Sequence, residues 1–179
     1  MPIAELLFDA TDATPMSLDE STIVPWDRAI ECLAAASKAW LATVRPSGHP
    51  HVMPVMPVWA DDAALFTTRP SSTKGRNLAR NPHCVLTVSG GELDLVIEGA
   101  ATRMRDSGVL RQASAAFAAR YGWELTMRDG VVFDDGLPGS PEYGFYRISP
   151  VRAFGYGVDG LTATRWRFDR ARAEGGAAR

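Results

Sequence analysis

From Ala39 to Thr68 the chain reads AWLATVRPSGHPHVMPVMPVWADDAALFTT: three β-like runs separated only by PSGH and ADDA, both suited to hairpin turns. Runs joined this tightly form a β-meander. Further β runs follow at HCVLTVS and DLVIEGAATRMR, and again at FYRISP with VRAFGYG and at ATRWRF. Six or seven mostly sequential strands stand against three helices. This pattern predicts a mainly β fold of the α+β class, an antiparallel barrel or strongly bent sheet with helices at its rim, and argues against a doubly wound parallel sheet.

The helices are read from spacing and punctuation. After Pro25, WDRAIECLAAASK puts Ile30, Leu33, Ala34 and Ser37 on one face. A short helix is expected from Ser72 to Arg80, stopped by Asn81-Pro82 because the residue before proline is driven out of the helical region. A longer one fits SGVLRQASAAFAARY, with Val109, Leu110, Ala113, Ala116 and Phe117 in a stripe, Asp106 or Ser107 as cap and Gly122 as stop. The following GWELTMRDGVVFDDGLPGSPEYG reads as an irregular surface excursion. Residues 1–22 read as an arm, loose or docked on a partner subunit, 23–169 as one domain, and 170–179 as a flexible tail. A chain of 179 residues, 46% of them hydrophobic, suits a single core.

A net charge of -2 and an isoelectric point near 5.9 give no global reason to bind nucleic acid or an anionic membrane. The acidic start lacks the pattern of a secretory or transit signal, and no apolar run is long enough to span a bilayer, so a cytoplasmic location is expected. Cys32 and Cys84 lie far apart in apolar patterns and read as buried reduced thiols.

Against that acidic background, TTRPSSTKGRNLARNP places Arg69, Lys74, Arg76 and Arg80 in a stretch with no Asp or Glu before Glu92. Lys74 falls in the first turn of the expected helix, where free backbone N–H groups and the helix dipole favour an anion and a lysine is the wrong sign unless one is bound. Ser71, Ser72 and Thr73 add hydroxyl donors, as at helix ends that hold phosphate. Lys74 and Leu78 share a face with Asn77 beside them, so Lys74 should lean toward the protein while Arg80 is solvated. The alternative is a basic surface helix paired with the acids of 124–142. The paired glycines of a nucleotide-binding P-loop are absent.

The run HPHVMPVMPVW carries Pro50, Pro54 and Pro57, two parities of residue without a ladder donor, so neither edge of this strand is expected to pair fully. Its backbone either offers C=O groups and the N–H of Val55 or Met56 to a flat polar ring, or turns a barrel corner at a bulge. Met53 and Met56 suit core filling, and His51 a turn or surface position. His49, His51 and His83 have no metal-site spacing, and no catalytic triad or carboxylate pair emerges. No metal is expected; an enzyme of this sequence would rely on a bound cofactor.

The order WLATV, SGHPHVMPV, VWADDAALFTTRPSSTKGRNLARNPHCVLTV, IEGAATR, FYRISPVRAFGYG and TRWRF resembles the pyridoxamine 5'-phosphate oxidase-like split β-barrel family over about residues 26–168, most closely its branch that uses the deazaflavin F420. The resemblance implies a cofactor phosphate held by Ser72, Thr73 and Lys74, with Asn77 nearby and Thr67 and Thr68 ending the strand that leads there. It implies a flavin or deazaflavin ring along Met53, Pro54 and Val55. Arg165 and Trp166 would approach the cofactor from the other protomer of a homodimer. The basic residues that the vitamin B6 oxidases carry near Val52 and Pro57, and their C-terminal Arg-x-His-Arg pattern, are missing. The implied function is an F420-dependent oxidoreductase acting on a small organic molecule, with an FMN-dependent oxidoreductase and a non-catalytic flavin- or haem-binding protein as alternatives. Trp59, Trp123 and Tyr143 are candidates for the substrate side or for structural packing, and the excursion from Trp123 for a lid.

Overall fold

The computed structural model of the chain describes residues 1–9, 11–12, 16, 19–60 and 62–168. The expected tail at 170–179 lies outside the described residues. In chain order the elements are β1 (Ile3–Leu6), α1 (Trp26–Ala35), β2 (Ala39–Val44), β3 (Pro50–Val55), β4 (Val58–Ala60), β5 (Ala63–Thr68), α2 (Thr73–Arg80) and β6 (His83–Val88). There follow β7 (Leu93–Arg103), α3 (Ser107–Tyr121), β8 (Thr126–Arg128), β9 (Val131–Phe133), β10 (Glu142–Gly157) and β11 (Ala163–Arg167).

The meander forms as its turns require. Gly48, at φ 83°, closes the β2–β3 hairpin, with Arg45 N–H donating to the His49 carbonyl at 2.9 Å. The third expected run is two strands, however: Met56-Pro57 breaks it, so that β3 pairs with β2 while β4 pairs with β5. Pro57 thus falls outside the ladder, and β3 is fully paired on its inner edge from Val55 to Pro50, contrary to expectation.

The eleven strands of the described residues form one antiparallel sheet: seven follow the path β1-β11-β10-β7-β6-β2-β3, and β10 also pairs β5 and β9, which carry β4 and β8 in turn. The two expected runs at 145–157 are one strand. A register shift between Pro150 and Arg152 lets the first half of β10 lie between β5 and β7 and its second half between β11 and β7. That change of neighbour is what splits the barrel.

Two cores result. The main one packs Trp26 and Leu33 of α1 on Leu41, Phe66, Leu86, Ile97, Ile148 and Trp166. The second gathers Leu110, Ala113 and Phe117 of α3 with Leu65, Val132 and Phe145. Helix α3 has the expected ends: Asp106 Oδ1 accepts from the N–H groups of Gly108 and Val109, and Gly122 closes it at φ 63°. The excursion contains a short hairpin, β8–β9, held to β10. The N-terminal arm is not free at its start, since β1 adds to this chain's own β11 with Ile3 opposite Arg167. No helix of the described residues is long and apolar enough to cross a membrane.

Candidate functional site

Helix α2 starts from a tightly wound loop. Ser72 caps it, its Oγ accepting from Gly75 N–H at 3.1 Å and lying 3.0 Å from the Thr68 hydroxyl. The loop folds over the first turn so closely that a Cβ on Gly75 would stand 2.6 Å from the carbonyl oxygens of both Arg69 and Pro70. Only glycine fits there. Arg76 folds back onto the Ser71 carbonyl and the Thr73 hydroxyl. Thr67 and Thr68 are buried at the end of β5, opposite Phe145 and Gly144, so Thr68 supports the cap through Ser72.

Leu78 and Asn77 form the buried side of α2. Asn77, expected among the cofactor residues, is a correction: it is 3% exposed, and its Nδ2 donates at 3.0 Å to the hydroxyl of Thr43, itself buried in β2. It pins the helix to the sheet, and Thr43 is a partner that the sequence did not disclose.

Lys74 leans toward the body of the protein, its Nζ donating to the Pro54 carbonyl at 3.4 Å. That is a long bond for an ammonium half-removed from water. Desolvation holds its pKa below the ordinary lysine value. The ion pairs among the described residues involve none of Arg69, Lys74, Arg76 or Arg80. Three of the five acids of the excursion have other partners: Asp135 pairs with Arg128, Glu142 with Arg103, and Asp134 accepts from Trp123. The reading of α2 as a face paired with residues 124–142 therefore fails.

The geometry of β3 explains its prolines. Arg45 N–H bonds to His49, so by alternation His51, Met53 and Val55 bond inward to β2, while Pro50, Val52 and Pro54 turn their backbone to the open edge. Prolines at 50 and 54 leave that edge three carbonyls and a single N–H, at Val52. Such an edge resists pairing with another strand and presents acceptors to Lys74 or to a ligand. The Val55 N–H belongs to the inward set and is not the ring-facing donor expected; Met56, in the break before β4, is the remaining candidate.

Of the expected substrate-side aromatics, the structure brings two together. Trp123 and Tyr143 meet edge to face at 4.9 Å, Trp123 Nε1 donates to buried Asp134, and Arg69 lies over the Tyr143 ring at 5.6 Å. They stand against the loop that opens α2, since Gly144 pairs with Thr68. Trp59 instead packs on Trp26, in the main core.

Trp166 is a second correction. It is fully buried, edge on to Trp26, and its Nε1 donates to the Val24 carbonyl at 3.0 Å, so its ring cannot reach a neighbour's cofactor. Arg165, one residue away and on the opposite face of β11, is half-exposed and pairs with Glu5 at 2.6 Å. Its position completes a cross-strand row over the outer face of the sheet: Pro54, Trp40, Thr87, Val96, Phe154, Arg165, Glu5. A second row runs Val52, Ala42, Val85, Glu98, Arg152, Arg167, Ile3. Both are largely apolar at the β3 end and charged toward β11, with Arg165 and Glu5 in the first and Glu98, Arg152 and Arg167 in the second. Trp40 (45%) and Val52 (52%) are exposed.

The family model for pyridoxamine 5'-phosphate oxidase matches residues 26–156, and the chain belongs to that family. Solved structures share the fold. A NimC/NimA family protein from Clostridium acetobutylicum superposes with a TM-score of 0.60 at 14% identity, covering 79% of this chain and 92% of that one. A putative pyridoxamine 5'-phosphate oxidase from Listeria innocua gives 0.54 at 17% identity, covering 71% and 94%. The haem storage protein HutZ from Vibrio cholerae gives 0.56 at 22% identity, covering 69% and 88%.

Proposed function

We propose that this protein is an oxidoreductase that holds the deazaflavin F420 in a cleft between two copies of the chain. The observation that carries the reading is Lys74: a half-buried ammonium at the first turn of a capped helix, bonded among the described residues only to a carbonyl and flanked by cations that make no ion pair there. A phosphate there supplies the missing charge. The donors fit such a group, with Ser71, Thr73 and the first N–H groups of α2 beside Lys74. F420 is favoured over FMN because Arg69 and Arg76 extend the positive surface past what one phosphate needs, and F420 carries carboxylates beyond its phosphate.

When bound, the deazaflavin supplies a ring carbon that carries hydride. This chain's contribution would be to bind and orient: Lys74 and the cap would hold the phosphate end, and the carbonyl-rich edge of β3 would offer acceptors to the ring. Trp123 and Tyr143 stand at the rim, where they would exclude water around a small, electron-poor substrate. The second copy would cover the apolar ends of the two outer rows, an isologous contact that brings Arg165 toward its partner's cleft.

The test is parallel fluorescence titration with F420 and FMN. Clearly tighter binding of F420 is expected, and clearly tighter binding of FMN reverses the order. The relation to a haem storage protein favours a second reading, haem binding. Haem needs an axial ligand, and His49 and His83 are exposed with Nδ1 beside Ser47 and Asn81 of their own turns. A Soret band on haem titration, with neither flavin bound, would establish it.

A further inference from the structure

His51 lies on β3 three residues before Pro54, the acceptor of Lys74, and belongs to the set whose backbone bonds inward to β2, where its partner Thr43 is the residue that Asn77 of α2 reaches. Its ring is only loosely held: Nδ1 is 3.5 Å from the Thr43 hydroxyl, which also lies 3.3 Å from the His51 carbonyl, and Nε2 makes no hydrogen bond among the described residues. Thr43 is fixed in turn by Asn77 of α2. The charged groups that act on the ring are Arg45 from the hairpin turn and Lys74 from α2, both cations. The elements packed against β3 are β2, which presents the neutral Thr43, and β5, which carries no titratable side chain; α2 reaches the strand through Asn77 on Thr43 and Lys74 on the Pro54 carbonyl.

Among the described residues, the charges that act on His51 are both positive. Desolvation first, then Arg45 and Lys74, hold its pKa below the ordinary histidine value, so the ring is neutral near pH 7. An anion seated on Lys74 reverses the sign of the local field. We propose that His51 is the proton-binding arm of the Lys74 anion site: neutral in the free protein, it takes up one proton when a phosphate group binds. The inference rests on the phosphate-holding role of Lys74.

The linkage has a definite sign. Binding raises the affinity of His51 for its proton, so the extra affinity is complete below the free-ring pKa and is lost as pH rises through the bound-ring pKa. The window therefore opens below the ordinary histidine value and closes at the bound-ring pKa, which the anion raises. The phosphate of F420 is a diester and has no proton to exchange in this range, and its acidic ring hydroxyl, common to both arms, cancels between parent and variant. FMN carries a monoester that itself titrates near about pH 6.

The experiment is calorimetric titration of the full chain and of His51→Gln with F420, in buffers of different ionisation enthalpy, from about pH 6 to about pH 8. Parent affinity should fall about tenfold across the range, an uptake averaging about half a proton as the ring goes from mostly charged to mostly neutral in the complex, and that of His51→Gln less than about twofold. An NMR titration of the His51 ring in the parent, with and without F420, reads the same event without any substitution. FMN serves as the second arm, with its own titration removed by comparing parent and variant. Equal pH slopes in parent and His51→Gln, or a ring titration that does not move on binding, overturn the inference while leaving the cofactor site intact. Binding of neither cofactor by the parent overturns the functional reading and this inference together.

Discussion

Lys74 Nζ donates to the Pro54 carbonyl across 3.4 Å, joining the first turn of α2 to the edge strand β3. The pair spans the two halves of the proposed site, phosphate end and ring end. It also marks a cost: the ammonium has lost water and gained one long neutral bond in return.

Removing that charge should therefore relieve the free protein. Lys74→Met keeps the aliphatic stem and drops the desolvated ammonium. Thermal unfolding without cofactor is expected at or above the parent's midpoint, whereas a clear fall would mean that the ammonium has a stabilising partner in the free state.

The outer rows make a second claim. Val52→Glu puts a carboxylate in the apolar end of the sheet face, where a partner copy would bury it unpaired. Sedimentation at low protein concentration should show a dimeric parent and a monomeric variant with weakened cofactor binding. A monomeric parent that still binds cofactor would contradict the shared cleft.

Trp166 is assigned to the core, and substitution separates that from cofactor contact. Trp166→Phe leaves the Val24 carbonyl without its donor and should lower stability by roughly 1 to 3 kcal/mol in chemical unfolding. Cofactor affinity of the folded fraction should not change. Lost affinity at parental stability would return Trp166 to the site.

Sequence and structure part company at identifiable places. The hairpins, the caps of α3 and the span of α2 were legible because they depend on local chemistry: Gly48, Asp106, Gly122, and Asn81 before proline. Lys74 was legible because charge without counter-charge is visible in one dimension. Asn77 and Trp166 were misassigned because burial is set by partners far along the chain, Thr43 and Val24, which no local pattern reveals. The split of the third run at Pro57 and the addition of β1 to β11 likewise depend on which neighbours the bent sheet offers. The prolines of β3 signalled an open edge correctly in kind, yet only the β2 register shows which edge.

Cys84 gives the fold a pH dependence of its own. Burial pushes its thiol up to about 12, above the ordinary cysteine value, so the folded state keeps a proton that the unfolded chain sheds. Stability from this group is fully present below about pH 8.5 and is lost as pH rises toward 12. Urea unfolding at about pH 8 and about pH 10 should show the parent losing about 1 to 2 kcal/mol more than Cys84→Ala. Equal losses would mean that the thiol ionises as readily in the fold as out of it.

The central claim is that a cofactor phosphate sits on Lys74, and the direct measurement is the dissociation constant of F420 for Lys74→Ala beside Arg80→Ala. Both remove one positive charge from α2, but Arg80 is exposed at the far end of the helix. Lys74→Ala should weaken binding by roughly 1.5 to 3 kcal/mol, about 10- to 150-fold, through loss of a charge-assisted hydrogen bond. Arg80→Ala should cost well under about tenfold at physiological salt, where distant charges are screened. Equal effects of the two substitutions, or parental affinity in Lys74→Ala, would show the basic stretch to be a solvated face and contradict the account.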